Sequence, residues 1–113
     1  MEMFFMNIKI YQLKDMEFAT KLIEIYTNSN VTILRDNYKL MYEYEDKSLL
    51  GNSDMGILNH IWNKFNDENR PNGDKMRSLS ISDIVGINDN YYFCNLLGWK
   101  KVKFDGEEAL QIR

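Results

Sequence analysis

The last third of the chain leaves little freedom of topology. Ile84–Ile87 is a short apolar run, Asn88, Asp89 and Asn90 make a turn, residues 91–97 form a second extended run, and a third begins after Gly98 at Trp99. Connections this short cannot carry a parallel crossover, which takes roughly a dozen residues or more. The segments must therefore fold back on one another as a C-terminal β-meander. Asn and Asp tolerate the left-handed backbone such a turn needs, and Gly98 permits a bulge or sharp bend. Asp105-Gly106, between two alternating runs, is a hairpin signal. A two-residue loop there sets Lys103 opposite Glu108.

Upstream the periods alternate. "MNIKIYQL" (Met6–Leu13) reads as a first strand, with Ile8 and Ile10 alternating with Asn7 and Lys9. Met16, Ala19, Leu22, Ile23 and Tyr26 then fall at helical spacing behind Asp15 as N-cap, and Asn28-Ser29-Asn30 ends that helix. Residues 31–34 add a strand or simply connect. In "NYKLMYEYED" strict alternation puts Tyr38, Leu40, Tyr42 and Tyr44 on one face, and Lys39, Met41, Glu43 and Glu45 on the other. Residues 49–52 make a turn. A second helix carries Leu58, Ile61, Trp62 and Phe65 on one stripe, with Ser53 as its cap, and 66–75 is a loop holding Pro71. No repeat or Gly/Ser linker interrupts the chain. The expectation is one domain over 1–113, of class α+β: a small mixed or antiparallel sheet with two helices.

Composition narrows the function classes. Seventeen acidic and fourteen basic residues give a net charge of -3. That balance argues against a non-specific nucleic-acid binder, which carries a basic surplus, and is too mild for a mimic of DNA. One cysteine forms no internal disulfide and fits a reducing compartment. No stretch approaches the roughly 20 apolar residues of a membrane span. The opening "MEMFFMNIKI" has a short apolar run and Glu2 where a signal peptide wants a cation, so no export signal is expected. Seven Tyr, six Phe, two Trp and seven Met supply a rich core. Residue types of this kind are also enriched in interfaces.

Catalytic constellations are thin. Ser80, Ser82 and Asp83 stand at the entry to a strand, where such side chains tether backbone N–H groups. As a nucleophile either serine needs a base, and the chain has one histidine, His60, and no Gly-x-Ser-x-Gly elbow. Cys94 lies in the apolar "YYFCNLL", where burial makes a thiol inert. No His or Cys pair has metal-ligand spacing. Glu43, Glu45, Asp46 and Asp54 are the acidic candidates, and alternation along a strand already explains Glu43 and Glu45 as a solvated face. The glycines are too scattered for a phosphate loop. Neither a metal nor a cofactor is expected, and no catalytic residue set emerges. Lys100, Lys101 and Lys103 beside Trp99 form a small basic-aromatic cluster, suited to a nucleic-acid backbone or to guarding a sheet edge.

The block "FNDENRPNGDKMRSLSISDIVGINDNYYFCNLLGWKKV", residues 65–102, resembles the YodL-like domain family. Phe65-Asn66, Arg70-Pro71, Arg77 through Val85, Tyr91-Tyr92 and Gly98-Trp99-Lys100 follow the family's order: a helix ending in Phe-Asn, a Pro-bearing loop, an Arg-Ser-Leu-Ser-x-Ser-Asp motif, a Tyr-Tyr strand and a Gly-aromatic-Lys step. "IYQLK" and "NYKLMYEYE" are similar to its early strands. The chain departs from the pattern at Leu96-Leu97, at the Asp105-Gly106 hairpin and over 14–30.

The resemblance implies context more than chemistry. Such domains look typical of phages, plasmids and conjugative elements of Gram-positive bacteria, beside antirestriction genes. A small stand-alone member is expected to be a counter-defence protein in the cytoplasm of the bacterial host. The leading version is an anti-CRISPR inhibitor that occludes an RNA-guided endonuclease or its guide-RNA complex. Glu43, Glu45 and Asp46 are the expected charged contacts, with Tyr42, Tyr44 and Trp99 as anchors. The alternatives are a nucleic-acid-associated accessory protein using Lys100, Lys101 and Lys103, and a small nucleic-acid-acting enzyme using Ser82, Asp83 or His60.

Overall fold

The computed structural model describes residues 5–18, 32–96 and 98–104. Six strands form one sheet: β1 (Met6–Leu13), β2 (Thr32–Ile33), β3 (Tyr38–Asp46), β4 (Ile84–Ile87), β5 (Asn90–Asn95) and β6 (Gly98–Phe104). Their spatial order is β2-β6-β5-β4-β1-β3. All neighbours are antiparallel except β2, which runs parallel to β6. One helix, α1 (Asp54–Phe65), and short 3-10 turns complete the described residues. The class is α+β and the meander β4-β5-β6 is present. The first expected helix falls mostly on 19–31, outside the described residues, as do the Asp105-Gly106 hairpin and the Lys103–Glu108 pair.

The meander closes as the turn chemistry requires. Ile87 faces Asn90 across a two-residue turn, in which Asn88 takes the left-handed φ of 55°. Asn95 faces Gly98, whose φ of 136° suits glycine. β5 accordingly ends at Asn95, short of residue 97, so that the sharp bend fits ahead of Trp99. Gly86 has a different task. A Cβ there would sit 3.0 Å from the Tyr91 ring, so the missing side chain lets that aromatic lie across β4.

α1 covers one face of the sheet. Ser53 caps it, its hydroxyl accepting the Gly56 N–H at 3.1 Å. Ile57, Leu58, Ile61 and Phe65 are fully buried and pack with Ile8, Ile10, Val85 and Ile87. Trp62 is half-buried at the flank of that stripe, and the Asp54 carboxylate accepts a hydrogen bond from the buried Tyr92 hydroxyl, tying the start of the helix to β5. Tyr11, Leu13, Ile33, Tyr38, Ile84, Phe93 and Phe104 form a second cluster on the opposite face. Arg35 lies over it, 4.6 Å from the Phe104 ring centre, with its guanidinium donating to the Tyr11 hydroxyl at 2.9 Å.

The expected alternation of β3 fails at one residue. Ile10 faces Tyr42 but Tyr11 faces Leu40, so Met41 is an extra residue on β3. Such a bulge reverses the facing of everything beyond it. Tyr38 therefore packs in the second cluster with Tyr11 and Leu13, while Tyr42 and Tyr44 turn to the α1 face and meet Phe65. Leu40, expected on a buried stripe with the tyrosines, is 44% exposed. Asn72, in the loop after α1, donates to the Met41 carbonyl at 3.1 Å and so satisfies the backbone of the bulge.

Candidate functional site

The Arg77–Asp83 segment packs against the end of β1. Asp83 is fully buried. Its carboxylate accepts from Arg77 Nη2 at 2.6 Å and Nη1 at 2.9 Å, from the Ser80 backbone N–H at 2.9 Å and from Gln12 Nε2 at 3.1 Å. Gln12, itself buried, also donates to the Arg77 carbonyl at 3.2 Å. Desolvation by burial raises the Asp83 carboxyl from its ordinary value, and Arg77, the Ser80 N–H and Gln12 act against that rise. Asp83 tethers a backbone N–H as expected, that of Ser80, but it also forms a bidentate ion pair with Arg77, and the Ser80 hydroxyl accepts from Arg77 at 2.8 Å. Only the spacing of Arg77 and Asp83 within one motif hinted at this.

Ser82 occupies the third position of the turn closed by the Asp83 N–H on the Ser80 carbonyl at 3.1 Å. Its φ is 80°, a value that favours glycine there. The position is held by backbone bonds to Cys94 and by the Tyr38 hydroxyl, which donates to the Ser82 carbonyl at 2.7 Å. The Ser82 hydroxyl is buried with no partner. Two penalties therefore meet at one residue: a strained φ and an unsatisfied hydroxyl. Ser82→Gly is expected to stabilise the domain by about 1 kcal/mol, after the entropy that glycine adds to the unfolded chain. Urea titration of the variant measures it, and a drop in midpoint would refute it.

The residues considered for catalysis lie in different settings, with Ser80 half-buried and its hydroxyl bonded to Arg77. Ser82 and Asp83 are enclosed, while His60 is exposed on α1 and its electrostatic neighbour is Asp46. Cys94 is buried, and burial, then the nearby Asp83 charge, pushes its thiol up to about 12. Among the described residues no group of three or more His, Cys, Asp or Glu side chains is placed to hold a metal ion.

The six residues considered for partner contact lie in four places. Glu43 and Glu45 are exposed on β3 and face Lys9 and Asn7 of β1, with Asn7 Nδ2 donating to Glu43 at 3.2 Å. Tyr42 and Tyr44 point to the opposite face. Their rings lie 5.7 Å apart, and Lys64 Nζ sits 4.4 Å from the Tyr44 ring centre. Burial, then the charges of Asp46 and Tyr42, raise the Tyr44 phenol above its ordinary value. Asp46 ends the strand, accepting from the Ser48 N–H at 2.9 Å, and the Ser48 hydroxyl holds its carboxyl below the usual range. Trp99 is on β6, four strands away from β3 in the sheet, about 19 Å at normal strand spacing.

The family model for the YodL-like domain matches residues 7–104. The chain belongs to the YodL-like domain family. The matched span takes in all six strands and α1. An uncharacterized protein of Acanthamoeba polyphaga mimivirus, R785, is 32% identical over 77 residues, covering 58% of this chain and 69% of the relative. No solved structure matches the chain.

Within this YodL-like domain, β3 and β2 are the two outer strands of the sheet. Among the described residues β1 is the only strand that pairs with β3, and it pairs one of its edges. An edge strand offers outward N–H and C=O groups to another chain. The sequence had marked these carboxylates, and only the sheet order shows that they lie on an edge. A second feature escaped the sequence reading altogether. A cavity of about 400 Å³ opens between α1 and the β5–β6 turn, with Trp62 and Trp99 in its wall.

Proposed function

We propose that this YodL-like domain is a protein-binding module that docks its partner along the free edge of β3, with Glu43, Glu45 and Asp46 as charged contacts. The observation that carries the reading is the position of those carboxylates on an outer strand with no neighbour on one side among the described residues. The partner is basic along the docking line. A surface lined with Lys and Arg to hold phosphate has that chemistry, and complementary charge steers such an encounter. The enclosure of Ser82, Asp83 and Cys94 favours binding over turnover.

The finer reading is counter-defence in a bacterial cytoplasm: an anti-CRISPR inhibitor that occludes the nucleic-acid groove of an RNA-guided endonuclease. A domain of this size presents enough surface for a standard interface of roughly 800 Å² per partner.

The test mixes the purified domain with a purified CRISPR effector, with and without guide RNA, and follows complex formation by size exclusion and target cleavage. A stable complex is expected. Glu43→Lys with Glu45→Lys should weaken it tenfold or more, because like charges then face each other. A reversed variant that binds and inhibits as tightly as the native domain would remove β3 from the interface. Absence of any complex across effector types would remove the counter-defence reading.

A further inference from the structure

We infer that the cavity between α1 and the β5–β6 turn is a nucleobase site. Its volume of about 400 Å³ falls in the range of small-ligand pockets, roughly 300–1,000 Å³. Trp62 projects from α1 and Trp99 from β6, and their ring centres lie 6.3 Å apart at an interplanar angle of 81°. One indole therefore shows its edge to the face of the other. A planar ring entering beside them stacks on one indole and meets the rim of the second, both of them favoured arrangements. An aliphatic group gains nothing from that geometry beyond contact area.

The rest of the wall selects for a neutral, polar-edged ring. Ile81 and Cys94 line the floor, and no charged residue lines the cavity among the described residues. The Cys94 thiol stays protonated at neutral pH, since burial pushes it up to about 12. Asn59 brings an exposed carboxamide from α1 to the rim. A carboxamide offers a donor and an acceptor side by side, the pattern that pairs with base edges. Outside the cavity, Lys101 follows Trp99 by two residues on the same face of β6 and is exposed. Its ammonium is placed for a phosphate attached to the bound base. The phenyl or alkyl side chain of a protein partner would leave both Asn59 and Lys101 unused.

The chain contains two tryptophans, and both line this cavity. The two indole N–H signals of the ¹⁵N-labelled protein therefore report on it directly. The probes are the four nucleoside monophosphates, adenosine, a four-nucleotide RNA, ribose 5-phosphate and p-cresol. At least one monophosphate or the RNA is expected to move both indole signals saturably, and ribose 5-phosphate is expected to move neither. Trp99→Ala should weaken that binding about tenfold or more. Asn59→Ala and Lys101→Glu, both at exposed positions, test the site without touching the core. Lys101→Glu should weaken a nucleoside monophosphate and leave adenosine unchanged. Tighter binding of the RNA, with a steep salt dependence, assigns the base to a single strand; equal binding assigns it to a free nucleotide. The proposal is overturned if p-cresol moves the indoles and no nucleotide does, which makes the cavity a pocket for a protein side chain. It is equally overturned if no probe moves them.

Discussion

Arg77→Met is expected to destabilise the domain by about 3–5 kcal/mol, because it strands a buried carboxylate. That is a large part of the roughly 5–15 kcal/mol by which a domain of this kind is stable. Asp83 has no access to water, and Gln12 and the Ser80 N–H remain as its donors once the guanidinium is gone. The partner substitution is less harmful. In Asp83→Asn the freed Arg77, whose side chain is 33% exposed, can hydrate, so a loss of about 1–3 kcal/mol is expected. Replacing both by apolar residues recovers only part of the loss, since the Ser80 N–H is then left without an acceptor. The variant also acquires a pH dependence of definite sign. Burial already raises the Asp83 carboxyl, and removing Arg77 raises it further. The native state then holds the proton more tightly than the unfolded chain. Stability of Arg77→Met is therefore greatest in acid, falls as pH rises from the ordinary carboxylate range through the raised native value, and levels off above it. Urea midpoints of native and variant protein, taken in acid and at neutral pH, read this out. A gap between them that fails to shrink in acid would count against a stranded carboxylate.

Phe65→Ala is expected to cost about 3–5 kcal/mol and to lower the thermal midpoint by roughly 10–25 °C. Phe65 is fully buried at the end of α1, with ring centres 5.8 Å from Tyr42 and 6.1 Å from Tyr44. Its carbonyl accepts the Leu79 N–H at 3.2 Å, so the same residue joins α1, β3 and the Arg77–Asp83 segment. Truncation removes the surface on which the two β3 tyrosines rest. Amide exchange should accelerate at Tyr42 and Tyr44 more than at β4 and β5. Partner binding should weaken as well, since an edge that is no longer preformed must be ordered on contact. A loss under 1 kcal/mol would mean that the helix end can collapse onto β3 without its ring.

The two variants probe different kinds of information. Phe65 was legible as part of an apolar stripe at helical spacing, and its burial follows from that period. The same holds for β1 and β4, whose limits match the expectation, and for Ser53, whose capping bond closes over three residues. Asp83 was legible only as a polar residue at a strand entry. Its burial depends on Gln12, seventy-one positions away, and no local pattern carries that. The acidic residues on β3 and their separation from Tyr42 and Tyr44 were also visible, but the separation of Tyr38 and Leu40 from those two tyrosines was not. Alternation predicts a common face for Tyr38 through Tyr44, and one inserted residue overrides it.

The sequence by itself determined where the chain turns, which runs are extended, where α1 begins and three residues of its core stripe, Leu58, Ile61 and Phe65, while Ile57 was missed and Trp62 lies at the flank. These depend on backbone preferences and side-chain bonds reaching only a few residues. Only the tertiary structure decided that Met41 bulges, that β3 is an outer strand, that Arg77 neutralises Asp83 in the interior, and that Trp62 and Trp99 share a cavity. Each of these depends on the register between segments distant in the chain. That register is set by how the two faces of the sheet are covered, a property no single stretch of sequence contains.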